Sequence, residues 1–392
     1  MTNAADLTGY YDPQKCNVRD FAACIDQVTR TENVPLATTI EKNIPVYDSG
    51  KLQSALEGEG RRTVMAEWAR VLRSGAGIVV LEGAYRDTRV LDEATEIYGG
   101  IIEREKQNAG GGADHFAASG ANDRIWNSLQ KLCETAPEVF LRYFANPAIS
   151  AVCEAWLGPN YQMTAQVNLV HPGGEAQQAH RDYHLGFQTA EVSAAYPAHV
   201  HEVSPILTLQ GAVAHCDMPL ESGPTKLLPF SQTYKPGYAA WRREDFREVF
   251  EESCVQLPLS KGDAVFFNPA LFHAAGANSS TDIHRFVNLL QVSSAFGRAM
   301  ETVDRGRMCQ LVFPHALQAF ADGSLIQAEL SAAIAATAEG YSFPTNLDRN
   351  PPSNGLAPET QAAFFKRAIA EGLSQEQFCA GLEQMEAVKQ AS

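Results

Sequence analysis

Eight cysteines are scattered through the 392 residues and none stands in a CxxC pair. That spacing excludes a zinc-cluster domain and a small disulfide-framework protein, and reduced thiols in a cytoplasmic setting are the expectation. No run of 18 apolar residues occurs, and the stretch from Met1 to Cys16 shows no basic segment followed by an apolar one, so neither membrane spanning nor export is expected. Positive charge is scarce: 31 Lys and Arg stand against 46 Asp and Glu, a formal charge of −15. Such a balance argues against a sequence-independent grip on nucleic acid or on an anionic membrane, and leaves a small molecule as the expected partner. It is silent on oligomeric state. There is no internal repeat, heptad run or long low-complexity tract. The glycine-rich AGGGAD, Ala109 to Asp114, is not followed by GK[ST] and has no dinucleotide fingerprint around it, so it is not a phosphate loop. No GxSxG elbow and no Cys-His motif supports covalent hydrolysis.

What is present divides by periodicity. Residues 1–60 are polar with few apolar anchors and read as an extended or irregular arm. A helix is expected over Arg62–Arg73, with Val64, Trp68, Val71 and Leu72 on one face and Gly75 ending it, followed by a short strand at Ile78–Leu81. Asp87 can cap a further helix carrying Val90, Leu91, Ala94, Ile97, Ile101 and Ile102, and two more fit Pro137–Phe144 and Pro147–Leu157. From Tyr161 to Arg298 the period changes to two. Met163, Ala165, Val167 and Leu169 alternate with Gln162, Thr164, Gln166 and Asn168, and shorter runs follow at Ile206–Ala214, Cys254–Leu257, Asp263–Asn268 and Arg285–Val292. The sum is an α+β protein whose core is a double-stranded β-helix, the cupin-like jelly roll. Helices at Ser324–Thr337 and Pro358–Glu371, and a third capped by Ser374 with Gln377, are expected to brace that core. The expected division is an arm (1–60), a jelly-roll domain with its N-terminal helices (61–298) and a C-terminal helical extension (299–392).

Within the strand-rich region the informative pattern is His180-Arg181-Asp182, with His273 91 residues beyond Asp182, and then Arg285. In an extended strand, side chains two residues apart leave on the same face, so His180 and Asp182 can reach one ion while Arg181 points away. His273, just past the apolar strand of GDAVFFNPALFHAAG, can supply a third ligand at the barrel mouth. Two imidazoles and a carboxylate with vacant positions form the facial triad suited to non-haem Fe(II) and O2 chemistry. Arg285 shares a face with Val287, Leu289 and Gln291, and a guanidinium is a planar fork for a carboxylate such as the far end of a dicarboxylate co-substrate. Two alternatives stay open on these residues: a jelly roll that binds a metal without catalysis, and a cupin-like enzyme that uses its metal without a co-substrate. His184, His199, His201 and His215 read as ordinary polar histidines. Tyr183, Phe187, Tyr196, Tyr234, Tyr238 and Trp241 are candidates for a pocket wall, and Lys226, Lys235, Arg242, Arg243 and Lys261 for a solvated basic rim beside the acidic EDFREVFEE.

The segments HRDYH, GPTKLLPFSQTY, KGDAVFFNPALFHAAGANSS and HRFVNLLQVS resemble the phytanoyl-CoA dioxygenase family of Fe(II)/2-oxoglutarate oxygenases over approximately residues 160–298. The resemblance implies that His180, Asp182 and His273 hold Fe(II), that Arg285 binds 2-oxoglutarate, and that O2 is the oxidant. It also implicates Asn168 as a co-substrate contact, with Gln166 behind it and Gln177 and Gln210 as further candidates. Relatives that halogenate lack the carboxylate, so Asp182 implies hydroxylation of an unactivated carbon, with desaturation, cyclisation and epimerisation as alternatives on the same residues. PFSQT around Ser231 and Gln232 departs from the GSH-like turn of many relatives, and Leu185–Pro205 is longer than a hairpin needs. Both are expected to shape the substrate pocket, so the family's acyl-CoA substrate does not carry over.

Overall fold

The computed structural model describes residues 9–109 and 121–391, and the Gly110–Asp114 part of the glycine-rich stretch lies outside them. Ten strands are present among the described residues: β1 (Thr39–Glu41), β2 (Ile44–Asp48), β3 (Ile78–Glu82), β4 (Asn122–Ile125), β5 (Gln162–Val170), β6 (Thr208–Ala214), β7 (Lys226–Leu227), β8 (Ala264–Phe267), β9 (His273–Ala274) and β10 (Arg285–Ser293). Eight of them form one sheet in the order β1-β2-β3-β8-β6-β10-β5-β4, antiparallel except for the β2–β3 pair. The facing layer is sparse. Strand β7 pairs with β9, and single bridges add His180 to His273, Val255 to Leu227, and Met218 to Leu259. These two layers enclose a cavity and make the α+β jelly roll that the alternating pattern implies.

Each strand of the large sheet sends alternate residues to two different cores, as a period of two requires. Val79, Leu81, Ala264, Phe266, Met163, Val167 and Leu290 pack outward against the helices. Ile78, Val80, Val265, Phe267, Ala212 and Val287 point inward and form the apolar part of the cavity wall. The polar face of β5 is also inward: Thr164, Gln166 and Asn168 are buried although hydrophilic. Buried polar groups are retained where they have hydrogen-bonding work to do, so this strip marks the business side of the sheet.

The helices lie as the sequence expects, with ends shifted by a residue or a few: Arg61–Ser74, Arg89–Ala109, Pro137–Phe144, Pro147–Leu157, Gln327–Thr337, Gln361–Glu371 and Gln375–Lys389. The last begins with a full capping box between Ser374 and Gln377. Phe313 and Phe378 stack at 3.9 Å and tie the C-terminal helices together.

Three segments depart from the sequence reading. Residues 18–57 of the expected arm are not irregular but hold a helix, Val18–Ile25, the β1–β2 hairpin and a second helix, Ser49–Glu57, and β2 joins the large sheet beside β3. Their turn is Lys42-Asn43, both at positive φ (49° and 70°), a two-residue connection that takes its twist without the glycine that would advertise it. Cys254–Leu257 contributes a single bridge at Val255 instead of a strand. Arg305–Ala321 is a helix that the pattern conceals, because Pro314 stands inside it. Proline cannot donate to the carbonyl four residues back, that of Gln310. That oxygen instead accepts from Gln375 Nε2 at 2.8 Å.

A buried polar network joins the sheet to the helix layer behind it. His215 Nδ1 meets Thr95 Oγ1 at 2.8 Å and its Nε2 meets Tyr143 Oη at 2.9 Å, while Asn288 Nδ2 donates to the same Tyr143 oxygen at 3.0 Å. His215 is therefore one of the ordinary polar histidines, and burial, aided by the Lys261 charge, pulls its pKa down to about 3. The unfolded chain binds a proton near pH 6.5 that the folded chain refuses until about pH 3, so this group's contribution is full above pH 6.5 and is lost as pH falls through that window. Denaturant unfolding at a series of pH values is expected to show up to about 1.4 kcal/mol of lost stability per pH unit from this residue, a slope absent in His215→Gln. An unchanged slope in the variant would remove His215 as its source.

Candidate metal centre

The centre is built at the seam of the two layers. His180 and His273 form an antiparallel bridge, His180 N–H to His273 O at 3.0 Å and His273 N–H to His180 O at 3.2 Å, which sets their rings 4.5 Å apart. Asp182, two residues on, projects to the same side. Its Oδ1 is 3.5 Å from His180 Nε2 and its Oδ2 3.3 Å from His273 Nε2, and the three ligand atoms all lie within 4.8 Å of one another. Adjacent ligands of one octahedral ion at bond lengths of about 2.1 Å stand roughly 3 Å apart, so the three donors need only small movements to share an ion on one face.

The tautomers are set for metal binding. His180 Nδ1 contacts Gln178 O at 2.8 Å and His273 Nδ1 contacts Leu271 O at 2.9 Å. A carbonyl can only accept, so each Nδ1 carries the hydrogen and each Nε2 turns its lone pair inward. Burial lowers the pKa of His180 and favours the neutral ligand form. Burial would raise the pKa of Asp182, but the imidazoles of His180 and His273 and the amide of Gln210 outweigh it and hold the carboxyl well below its usual range. Gln210 Nε2 donates to Asp182 Oδ2 and leaves its own Oε1 buried without a partner.

Arg181 points the other way, as strand alternation requires. Its guanidinium is buried between the rings of Phe272 and Tyr238, at 4.9 and 5.2 Å, and donates from Nη2 to the carbonyls of Ser231 (2.7 Å) and Tyr234 (3.0 Å). Gly237 is required here, since a Cβ at that position would fall 1.9 Å from Arg181 Cζ. Tyr238 Oη donates to Asp182 O at 3.2 Å. The PFSQT departure is thus the clamp that seats the ligand-bearing segment. Immediately after Asp182 the chain bends through Tyr183 and His184, both at positive φ (58° and 32°), which ends the extended stretch.

A cavity of about 810 Å³ opens from this centre, and His180, Asp182, His273, Asn168, Gln177, Gln210 and Arg285 all line it. Arg285 is buried and donates from Nη1 to the carbonyls of Ser222 (2.8 Å) and Gly276 (3.1 Å), with no ion pair among the described residues. Burial draws its pKa down to about 10, so it stays charged at neutral pH. Asn168 sits two pairs along the β5–β10 register from Arg285, opposite Val287, and its Oδ1 is buried without a partner. Gln177 Oε1 is taken by Ala275 N–H at 3.2 Å. Gln166 is held by Arg124 and Gln291 at 3.1 and 3.0 Å. Of the aromatic candidates, Phe187 and Trp241 reach the cavity, whereas Tyr183, Tyr196, Tyr234 and Tyr238 do not line it. His184 and His201 bond to Ser204 Oγ and Ser193 O, away from the triad. Arg247 also lines the cavity and is not singled out by the sequence, because it stands in an acidic run that reads as a solvated helix face.

A jelly roll with a His-Asp-His triad and a charged arginine along the same cavity defines the class of non-haem iron oxygenases. The family profile of phytanoyl-CoA dioxygenase (PhyH) matches residues 74–286, more than half of the chain. The chain belongs to that family. Dioxygenase andF of Emericella variicolor is 26% identical over 144 residues, covering 36% of this chain and 45% of that protein, so the match spans less than half the length of that curated relative. Among solved structures, the non-haem α-ketoglutarate-dependent carbocyclase SnoK from nogalamycin biosynthesis is 20% identical with a TM-score of 0.45, covering 62% of this chain and 88% of that one. The epimerase SnoN, solved with Fe3+, α-ketoglutarate and nogalamycin RO, is 20% identical with a TM-score of 0.40, covering 60% and 85%. No helix among the described residues is long and apolar enough to cross a membrane.

Fe(II) added anaerobically is expected to raise the melting temperature of the wild-type protein, since a ligand that binds only the folded state at 100 times its Kd adds about 2.7 kcal/mol. His180→Ala and Asp182→Ala should each abolish that shift. A full shift in either variant would place the ion elsewhere.

Proposed function

We propose that this protein hydroxylates an unactivated carbon of a small organic molecule, with His180, Asp182 and His273 as the iron ligands and Arg285 as the partner of the distal carboxylate of 2-oxoglutarate. The observation that carries the reading is the coincidence, in one cavity, of a preformed triad and a buried guanidinium that no carboxylate among the described residues neutralises. A buried cation held only by carbonyl dipoles keeps its full charge for a ligand, and a planar fork suits a carboxylate. Asn168 lines the same cavity one step along the same face, and its side-chain amide N–H is the group that would donate to the co-substrate. Gln210 orients Asp182, and Gln177 closes the wall between the two layers.

Bound Fe(II) supplies the activation of O2, and the overall reaction converts substrate C–H, O2 and 2-oxoglutarate into alcohol, succinate and CO2. The chain's own part is to favour neutral His180, turn the Nε2 atoms of both imidazoles inward, hold Asp182 ionised, grip the co-substrate and exclude water with apolar residues such as Val80, Leu227 and Val265. Retention of the carboxylate at position 182 supports hydroxylation over halogenation. Desaturation, cyclisation and epimerisation would use the same residues and differ in product mass and isotope content.

Anaerobic titration with Fe(II) and 2-oxoglutarate is expected to develop a visible charge-transfer band, and admission of O2 to release succinate. Arg285→Ala should raise the 2-oxoglutarate concentration needed by about 100-fold, equivalent to about 2.7 kcal/mol, the loss typical of truncating one member of a buried charge pair. A product heavier by one oxygen atom drawn from 18O2 identifies hydroxylation. Saturation of Arg285→Ala at the wild-type concentration would overturn the co-substrate assignment.

A further inference from the structure

Among the described residues, the basic side chains between positions 226 and 261 are committed to partners with one exception. Lys226 pairs with Glu251, Lys235 with Glu202 (3.0 Å), Arg243 with Asp245 (2.6 Å) and Lys261 with Asp92, and Arg242 donates to the carbonyls of Gly186 (3.1 Å) and Gln188. Arg247 has no ion pair and no side-chain hydrogen bond, and its Nε is buried without an acceptor. This is not for want of anions: its helix, Glu244–Ser253, also carries Glu248 one residue on and Glu251 at the i+4 position, where a surface arginine would find a partner. The guanidinium is turned to the cavity instead.

Its neighbour repeats the pattern. Trp241 lines the same cavity, with Arg242 at 4.0 Å and Arg247 at 5.7 Å from its ring, and its Nε1 is also buried without an acceptor. Trp241 thus backs the Arg247 guanidinium with an aromatic face and leaves its charge uncancelled. The surrounding wall is apolar and partly open, with Trp126, Phe187 and Met300 along it.

We propose that Arg247, backed by the ring of Trp241, binds a carboxylate of the organic substrate, so that the compound oxidised is an amphiphilic acid with its negative charge on an apolar skeleton. The inference rests on the oxygenase reading above. Glu175 on the cavity wall and a chain at −15 disfavour a dianion such as a phosphate monoester. Arg285 is left for the carboxylate of 2-oxoglutarate.

The test uses matched probes, adamantane-1-carboxylate and adamantane-1-carboxamide, titrated calorimetrically into the anaerobic enzyme loaded with Fe(II) and saturating 2-oxoglutarate. The wild type is expected to prefer the carboxylate by about tenfold or more. Arg247→Gln should bring the ratio close to one, and Arg247→Lys, which keeps the charge but not the fork, should retain a reduced preference. Equal affinities in the wild type, no measurable binding of the carboxylate, or an undiminished preference in folded Arg247→Gln would overturn the proposal. Failure of the oxygenase reading shows separately, as absence of Fe(II)-dependent 2-oxoglutarate binding before either probe is added.

Discussion

The two backbone hydrogen bonds between His180 and His273, at 3.0 and 3.2 Å, are the constraint on which the site depends. They bring together side chains from distant stretches of the chain and fix their separation by strand geometry instead of by flexible loops. Asp182 follows for the same reason, because two residues along an extended backbone return to the same face. Loss of that register by one residue would exchange Asp182 for Arg181 at the centre and place a cation where the metal ligand belongs. The burial of Arg181 against Phe272 and Tyr238 therefore does more than fill space. It makes the wrong register costly, since Asp182 would have to enter an aromatic and carbonyl-lined pocket that suits only a cation.

The handling of charge is consistent across the molecule. A strongly acidic chain has carboxylates to spare, yet the buried guanidinium groups of Arg181, Arg285 and Arg305 donate to backbone carbonyls. A carbonyl dipole orients a guanidinium without cancelling its charge, whereas a carboxylate would neutralise it. At Arg181 and Arg305 the consequence is structural: the first locks the ligand-bearing segment, and the second ties the C-terminal helices to β5 through Met163 O at 2.8 Å. At Arg285, which lines the cavity, the same arrangement leaves a positive charge available to a ligand.

Much of the fold was legible because it rests on patterns of period two and 3.6. The alternation in Gln162–Val170 and Arg285–Ser293 names the inner face, and the helices from Pro137 and Pro147 begin at prolines that suit a first turn. What escaped was structure whose signal is borrowed from elsewhere. The Lys42-Asn43 turn has positive φ without glycine, and β2 is held by its neighbour β3 more than by its own composition. The helix through Pro314 survives because Gln375, 61 residues later in the chain, serves the carbonyl that the proline leaves free. Val255 makes one bridge because the sparse layer offers it a single partner, Leu227.

The sequence by itself determined the chemistry of the donors: which residues can ligate iron, which side of a strand each occupies, and that a guanidinium follows on the same face of β10. These are properties of residue type and local spacing, which need no knowledge of the rest of the chain. Only the tertiary structure decided which of these groups share a space and which are already spent. Arg247 and Arg243 are indistinguishable in an acidic run, yet one is paired with Asp245 at 2.6 Å and the other lines the cavity unpaired. The same holds for His215 and His273, one sealed behind the sheet and one at the metal centre. A partner is a matter of distance in three dimensions, and no local pattern of residues encodes it.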